Sequence, residues 1–203
     1  MLEAESILPR RLVYISTSGV YGDCGGAWVD ESRPANPQTP RAVRRADAER
    51  RFLAWGELHD SAVVVLRAPG IYAADRLPLE RLVQGMPALA DKDDVYTNHV
   101  HADDLAAIAL AALGEDAPPG IYNASDDSQV KMGEWFDLVA ARAGLPKPPR
   151  VSREEAARSL PAGILSFMGE SRRLVNRKMK DALKVNLSYP TVFEGVPMKR
   201  QAA

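Results

Sequence analysis

Three short runs dense in apolar and β-branched residues constrain this chain most: residues 12–15 (LVYI), 62–66 (AVVVL) and 120–124 (GIYNA). None alternates apolar with polar side chains, so each must be covered on both faces. That is the situation of strands inside a parallel sheet. Helical patterns fall between them. Residues 41–55 form a charged amphipathic segment with Val43, Ala46, Phe52 and Leu53 toward one side. Residues 78–84 form a short helix ended by Gly85. Residues 103–113 start with Asp103 and Asp104, where a helix dipole favours acids, and stop at Gly114. The β–α–β alternation predicts an α/β domain with right-handed crossovers.

The pattern changes near residues 125–128. Residues 130–143 read as a helix anchored by Trp135, Phe136 and Val139 and stopped by Gly144. A proline-rich turn, LPKPPR, follows. Ser152 and Glu155 form a capping box for a helix over 153–160, and Asn176 is placed to cap a last helix running to Lys184. No further strong strand is visible. The expected organisation is an α/β part over 1–126 and a small, mostly helical lobe over 127–203.

A three-stranded sheet leaves a long unpaired edge. Run 12–15 has the composition of an interior strand yet stands almost at the start of the chain. The expectation is that a neighbouring strand belongs upstream, so that this chain is N-terminally incomplete.

Composition narrows the classes. With 203 residues, 46% hydrophobic and 26% charged, the chain is of ordinary globular type. A net charge of −1 supplies no field toward nucleic acid or anionic membrane. Cys24 is the single cysteine, with no partner for a disulfide and no companions for a multi-cysteine zinc site. The longest apolar stretch, 105–113, is far short of the roughly 20 residues that cross a bilayer. The first residues, MLEAESILPRR, lack the basic start and apolar core of a signal peptide. The expectation is a cytoplasmic protein in a reduced compartment.

The segment 14–23, YISTSGVYGD, puts hydroxyls at the end of a buried parallel strand, where open α/β sheets place their sites. It is followed by Asp30-Glu31, by prolines at 37 and 40, and by a helix carrying Glu49. Further on come VVVLRAPGIYA (63–73), NHVHADDLAAIALAAL (98–113), GIYNASDD (120–127) and SRRLVNRKMKDALKVNLSYPTVFEGV (171–196). Each piece alone is weak. The ordered set resembles the extended short-chain dehydrogenase/reductase superfamily, the NAD(P)-dependent epimerases and dehydratases of sugars and nucleotide sugars, and is similar to an atypical branch of it. The resemblance implies the second half of a Rossmann-type sheet plus a substrate-side lobe, a small-molecule substrate of sugar or nucleotide-sugar type, and NAD or NADP. Nucleic acid and membrane are not among the implied partners. The unpaired edge adds possible self-association.

The departures from the family are specific. The strand, G-x-x-G-x-x-G turn and helix that hold the cofactor pyrophosphate are missing. Gly22, Gly25 and Gly26 follow the hydroxyl strand and precede no such helix. The family's catalysis uses a Ser/Thr, a tyrosine and a lysine four residues later. Aligned through Pro40 and Glu49, those positions are Thr17, Arg41 and Arg45. Arg45 keeps the charge and the implied ribose contact. Arg41 cannot act as general acid or base, because guanidinium stays protonated. The resemblance also places Thr17, Arg45 and Pro69 at the cofactor, and His101 and Arg173 (or its neighbour Arg172) at the substrate.

Other constellations carry less. Tyr21 and Tyr72 are the phenols near these motifs and read first as structural. His99, His101, Asp103 and Asp104 have a metal-like density, but the resemblance accounts for the segment without a metal. No G-x-S-x-G elbow supports a hydrolase. The basic residues from Arg172 to Lys184 scatter around the last helix. Two readings remain: a family enzyme with its tyrosine and lysine replaced, and a non-catalytic binding module that uses the old cleft.

Overall fold

The computed structural model describes residues 8–198. The chain runs through β1 (Arg11–Thr17), a 3-10 turn (Ser18–Tyr21), β2 (Trp28–Val29), α1 (Pro40–Leu58), β3 (Ala62–Ala68), β4 (Gly70–Tyr72) and α2 (Leu79–Val83). It continues with β5 (Ala88–Leu89), β6 (Tyr96–Thr97), β7 (His99–His101), α3 (Ala102–Ala112), β8 (Gly120–Asn123), β9 (Val130–Lys131) and α4 (Met132–Ala143). It closes with β10 (Arg150–Val151), α5 (Arg153–Ser159), α6 (Ala162–Phe167), β11 (Arg173–Leu174), α7 (Arg177–Leu183) and α8 (Val192–Gly195).

The three apolar runs form one parallel sheet in the order β1-β3-β8. Its register sets Leu12 beside Val63, Val13 beside Val64 and Leu66 beside Tyr122. β3 is the central strand and is buried almost throughout, which is why it shows no polar alternation. Its successive side chains serve two faces. Val64, Leu66 and Ala68 enter a core with Leu105 and Ile108 of α3, Tyr122 of β8, and Met179 and Leu183 of α7. Each such large side chain contributes about 1.5–3 kcal/mol on burial. Arg67 turns to the opposite face, where α1 lies.

α1 starts where Thr39 accepts a hydrogen bond from the Ala42 N–H at 3.2 Å, with Pro40 in the first turn. It is longer than the sequence pattern indicates, and its inner line differs. Ala42, Glu49 and Gly56 face the sheet, while Val43 is 51% exposed. The reason is close approach: a Cβ at Gly56 would stand 2.5 Å from Val63 Cγ2. Glu49 is buried because Arg67 meets it at 2.7 Å and the Ser16 hydroxyl donates to it at 2.5 Å.

Four two-stranded ladders of two or three residues accompany the sheet: β10-β5, β11-β2, β4-β7 and β6-β9. A second core gathers Tyr72, Trp135, Phe136, Val139, Val192 and Val196. Asn123 ties the parts together. It accepts from the Tyr21 hydroxyl at 2.8 Å and donates to the Val29 and Val175 carbonyls at 3.1 Å each.

Two helix starts differ from the sequence pattern. α3 is capped by His101, whose Nδ1 accepts from the Asp103 N–H at 3.2 Å. Asp104 is instead buried and accepts from the N–H groups of Ser188 and Tyr189. Asn176 makes no cap bond to α7. Its amide donates to the carbonyls of Ser125 and Asp126 and to the Asp127 carboxylate. In both cases a distant backbone partner wins over the local one.

Candidate functional site

The C-terminal ends of β1 and β3 open into a cleft of about 440 Å³. That is the size of a small-ligand site, in the crevice where parallel sheets place one. Its floor is the run Ser16, Thr17, Ser18 and Gly19 together with Pro69 and Gly70. Arg41 and Arg45 stand on one wall. Tyr96, Thr97 and Asn98 form another part of the wall, and Phe167, Glu170 and Arg172 complete the lining.

Local structure explains each placement. Thr17 ends β1 and caps the 3-10 turn, its hydroxyl accepting from the Gly19 N–H at 3.2 Å. Arg41 and Arg45 are four residues apart on α1 and so share one side of the helix. The Arg41 guanidinium lies 4.6 Å above the Phe167 ring. Arg45 donates to the Tyr14 hydroxyl at 3.0 Å. Asn98 holds its part of the wall: its amide donates to the Arg172 carbonyl at 2.9 Å, and its carbonyl accepts from the Leu174 N–H at 2.8 Å. Asp23 completes the lacing by accepting from the N–H groups of Ser171 and Gly25. Those backbone donors hold its carboxyl below the usual range.

Thr17, Arg41, Arg45 and Pro69 therefore come together in one cleft. His101 stands elsewhere. It is buried between Tyr72 and Tyr189, with ring centroids at 5.2 and 3.9 Å. Its neighbour His99 packs on Trp135 at 4.3 Å, and burial pulls its pKa down to about 3. Arg173 donates to the Gly26 carbonyl and lies between the rings of Trp28 and Tyr96, behind the cleft wall. Arg172 is the arginine that lines the cleft.

The phenols near the motifs are engaged. Tyr21 donates to Asn123, and Tyr72 is buried against Trp135 and Thr191. Among the described residues, Tyr96 is the phenol that lines the cleft. Sequence reasoning passed over Tyr96, Asn98, Phe167 and Glu170 because they lie far along the chain from Thr17, Arg41 and Arg45, with no spacing rule linking them. No group of three or more potential metal ligands occurs among the described residues, and no described helix is long and apolar enough to cross a membrane. The basic tail residues have structural partners: Arg177 pairs with Asp181, Lys180 with Asp127, and Lys178 donates to the Ile121 carbonyl.

Comparison with known proteins decides the lineage. The sequence profile described as "NAD dependent epimerase/dehydratase family" matches residues 1–125. The chain belongs to this family. It is 25% identical over 132 residues to human dTDP-D-glucose 4,6-dehydratase, covering 61% of this chain and 37% of the relative. It is likewise 25% identical over 146 residues to the dTDP-glucose 4,6-dehydratase of an Actinoplanes strain, covering 67% and 45%. The chain thus spans less than half the length of these curated relatives. Among solved structures, a functionally unknown conserved protein from Silicibacter pomeroyi superposes with a TM-score of 0.80 at 32% identity, covering 92% of this chain and 64% of that one. UDP-glucose 4-epimerase from Thermotoga maritima gives a TM-score of 0.73 at 18% identity, covering 92% and 60%. The second match shows the fold alone.

Proposed function

We propose that this chain is the substrate-side part of an NAD(P)-dependent epimerase/dehydratase-type protein, acting on a sugar or nucleotide-sugar type substrate, in which Arg41 and Arg45 replace the tyrosine and lysine of the proton relay. The observation that carries this is the convergence of Thr17, Arg41, Arg45 and Pro69 on one cleft at the strand ends. The dehydratases and the epimerase it is similar to act on sugar nucleotides by their names.

A nicotinamide, when bound, would supply hydride transfer. Thr17, Arg45 and Pro69 fit that end of the cofactor. We assign no residue to the pyrophosphate end. α1 starts with Pro40 behind a threonine cap, not a glycine turn. Gly22 lies against Asn36, whose carbonyl oxygen a Cβ would approach to 2.3 Å, so it serves packing. The chain's own residues bind and orient: the Thr17 hydroxyl reaches the cleft floor, and the Arg45 charge stands over the end of β1. A proton exchanged with a substrate hydroxyl cannot pass through Arg41. Tyr96 is the cleft phenol that remains for it. The binding-module reading rests on the same replacement and differs only in lacking turnover.

Titration calorimetry with UDP-glucose and dTDP-glucose, with and without NAD, tests the reading. Saturable binding of a nucleotide sugar, weakened by Thr17→Val, is expected. NAD alone should not saturate below about 1 mM, since micromolar binding would need roughly 8 kcal/mol from half a site. No saturable binding of either nucleotide sugar, with or without NAD, rejects the assignment.

A further inference from the structure

We infer that the cleft selects a ligand bearing an oxyanion, a phosphate monoester or a carboxylate, held between Arg41 and Arg45. The inference deepens the substrate reading above and rests on it for the sugar part only. Three guanidinium groups and one carboxylate line the cleft. The carboxylate, Glu170, meets Arg172 at 2.9 Å. Arg41 and Arg45 have no carboxylate within ion-pairing distance among the described residues. Their contacts are neutral: the Phe167 ring under Arg41, and the Tyr14 hydroxyl beside Arg45. The cleft therefore carries two uncompensated positive charges.

Their spacing matters. Residues four apart rise about 6 Å along a helix and point to one side. Like charges so placed repel, and an anion between them removes that repulsion while gaining two charge-assisted contacts. Guanidinium forks match the flat oxygen pairs of carboxylate and phosphate, which a neutral hydroxyl does not. Arg172, which lines the same cleft, adds a buried Nε–H without a hydrogen-bond partner. The volume of about 440 Å³ lies at the small end of ligand sites and suits a monosaccharide-sized molecule.

The test is calorimetric titration of the 203-residue chain with glucose 6-phosphate, glucuronate, glucose and inorganic phosphate, at about 50 and about 500 mM salt. The expected result is that glucose 6-phosphate or glucuronate binds at least about tenfold tighter than glucose, and that this preference shrinks at the higher salt. Which of the two wins identifies the oxyanion. Arg41→Gln and Arg45→Gln should each lose about tenfold in affinity, with thermal melts confirming that both variants are folded. Arg45→Lys should recover part of the loss. Equal binding of glucose and both anions overturns the inference, as does full affinity in the folded Arg41→Gln/Arg45→Gln double variant. If a variant fails to fold, the salt dependence and the glucose contrast of the parent chain still decide. Inorganic phosphate binding as tightly as glucose 6-phosphate supports oxyanion capture while removing the sugar. Failure of the substrate reading is thereby visible apart from failure of this inference.

Discussion

Replacing Glu49 with alanine should destabilise the protein severely and disarm the cleft at the same time. The Glu49 and Arg67 side chains are only 4% and 5% exposed, and their charged atoms meet at 2.7 Å. Arg67 holds Glu49 through both Nε and Nη2, and the Ser16 hydroxyl donates to the same carboxylate. Truncation leaves a buried guanidinium with only the Tyr21 ring at 4.6 Å beside it, and a buried hydroxyl without its acceptor. Breaking one side of such a pair costs about 3–5 kcal/mol, out of a total of about 5–15 kcal/mol. At this chain length that corresponds to roughly 6–20 °C in Tm. Replacing both partners with apolar residues, Glu49→Leu with Arg67→Met, should recover most of the loss, since the charges themselves add little net stability once desolvation is counted. Urea melts on the parent, both single variants and the double variant would measure the coupling. The pair also presses α1 against the sheet, so Glu49→Ala should weaken any ligand bound at Arg41 and Arg45. A Glu49→Ala cost below about 1 kcal/mol, or a double variant no better than the worse single, would refute this account.

Three further outcomes follow from the structure. Burial, ahead of the charges of Asp127 and Asp104, raises the Asp126 pKa from 3.8 to about 7. A raised carboxyl pKa means stability present at low pH and lost as pH rises from about 4 through about 7. The parent should therefore fall behind Asp126→Asn by on the order of 2–4 kcal/mol across that window in urea midpoints, and a pH-independent difference would reject the assignment. Gly195→Ala should unfold or strongly destabilise the second core, because its Cβ would stand 2.0 Å from the Tyr72 hydroxyl; a melt within about 1 kcal/mol of the parent would contradict it. The outer edge of β1 pairs with no strand among the described residues, and Ile15 in that strand is 42% exposed, so light scattering should detect concentration-dependent association that Ile15→Lys suppresses; a strict monomer at every concentration would exclude this.

The strands were legible because burial on both faces leaves a mark on adjacent residues. Runs 12–15, 62–66 and 120–124 all mark strands of the observed sheet, with no end shifted by more than two residues. The capping box of Ser152 and Glu155 was legible for the same local reason. The inner face of α1 was not, because apolar periodicity cannot register an inward glutamate whose partner lies 18 residues away. The altered roles of Asp104 and Asn176 depend on backbone atoms 84 and 51 positions distant. Within the cleft, Thr17, Arg41 and Arg45 could be placed through motif order. Tyr96, Asn98 and Phe167 join them only through tertiary packing, which no spacing in the sequence encodes.

Arg172 donates to the carbonyl of Gly22 across a separation of 150 residues, and β11 pairs with β2 beside it. During synthesis the strand ends and both α1 arginines leave the ribosome long before the wall that encloses them. At about 5–20 residues per second the unfinished site waits about 6–25 s for its closing segment. For that interval Arg41 lacks the Phe167 ring beneath it, and the cleft lacks the Glu170–Arg172 pair. A premature stop between residues 124 and 166 would release a chain that contains all three sheet strands yet lacks Phe167, Glu170 and Arg172 of the cleft. Ligand binding is thus an assay of whether the closing segment has been translated, and a ligand added during cell-free synthesis should protect against proteolysis only once residues 167–172 have left the ribosome.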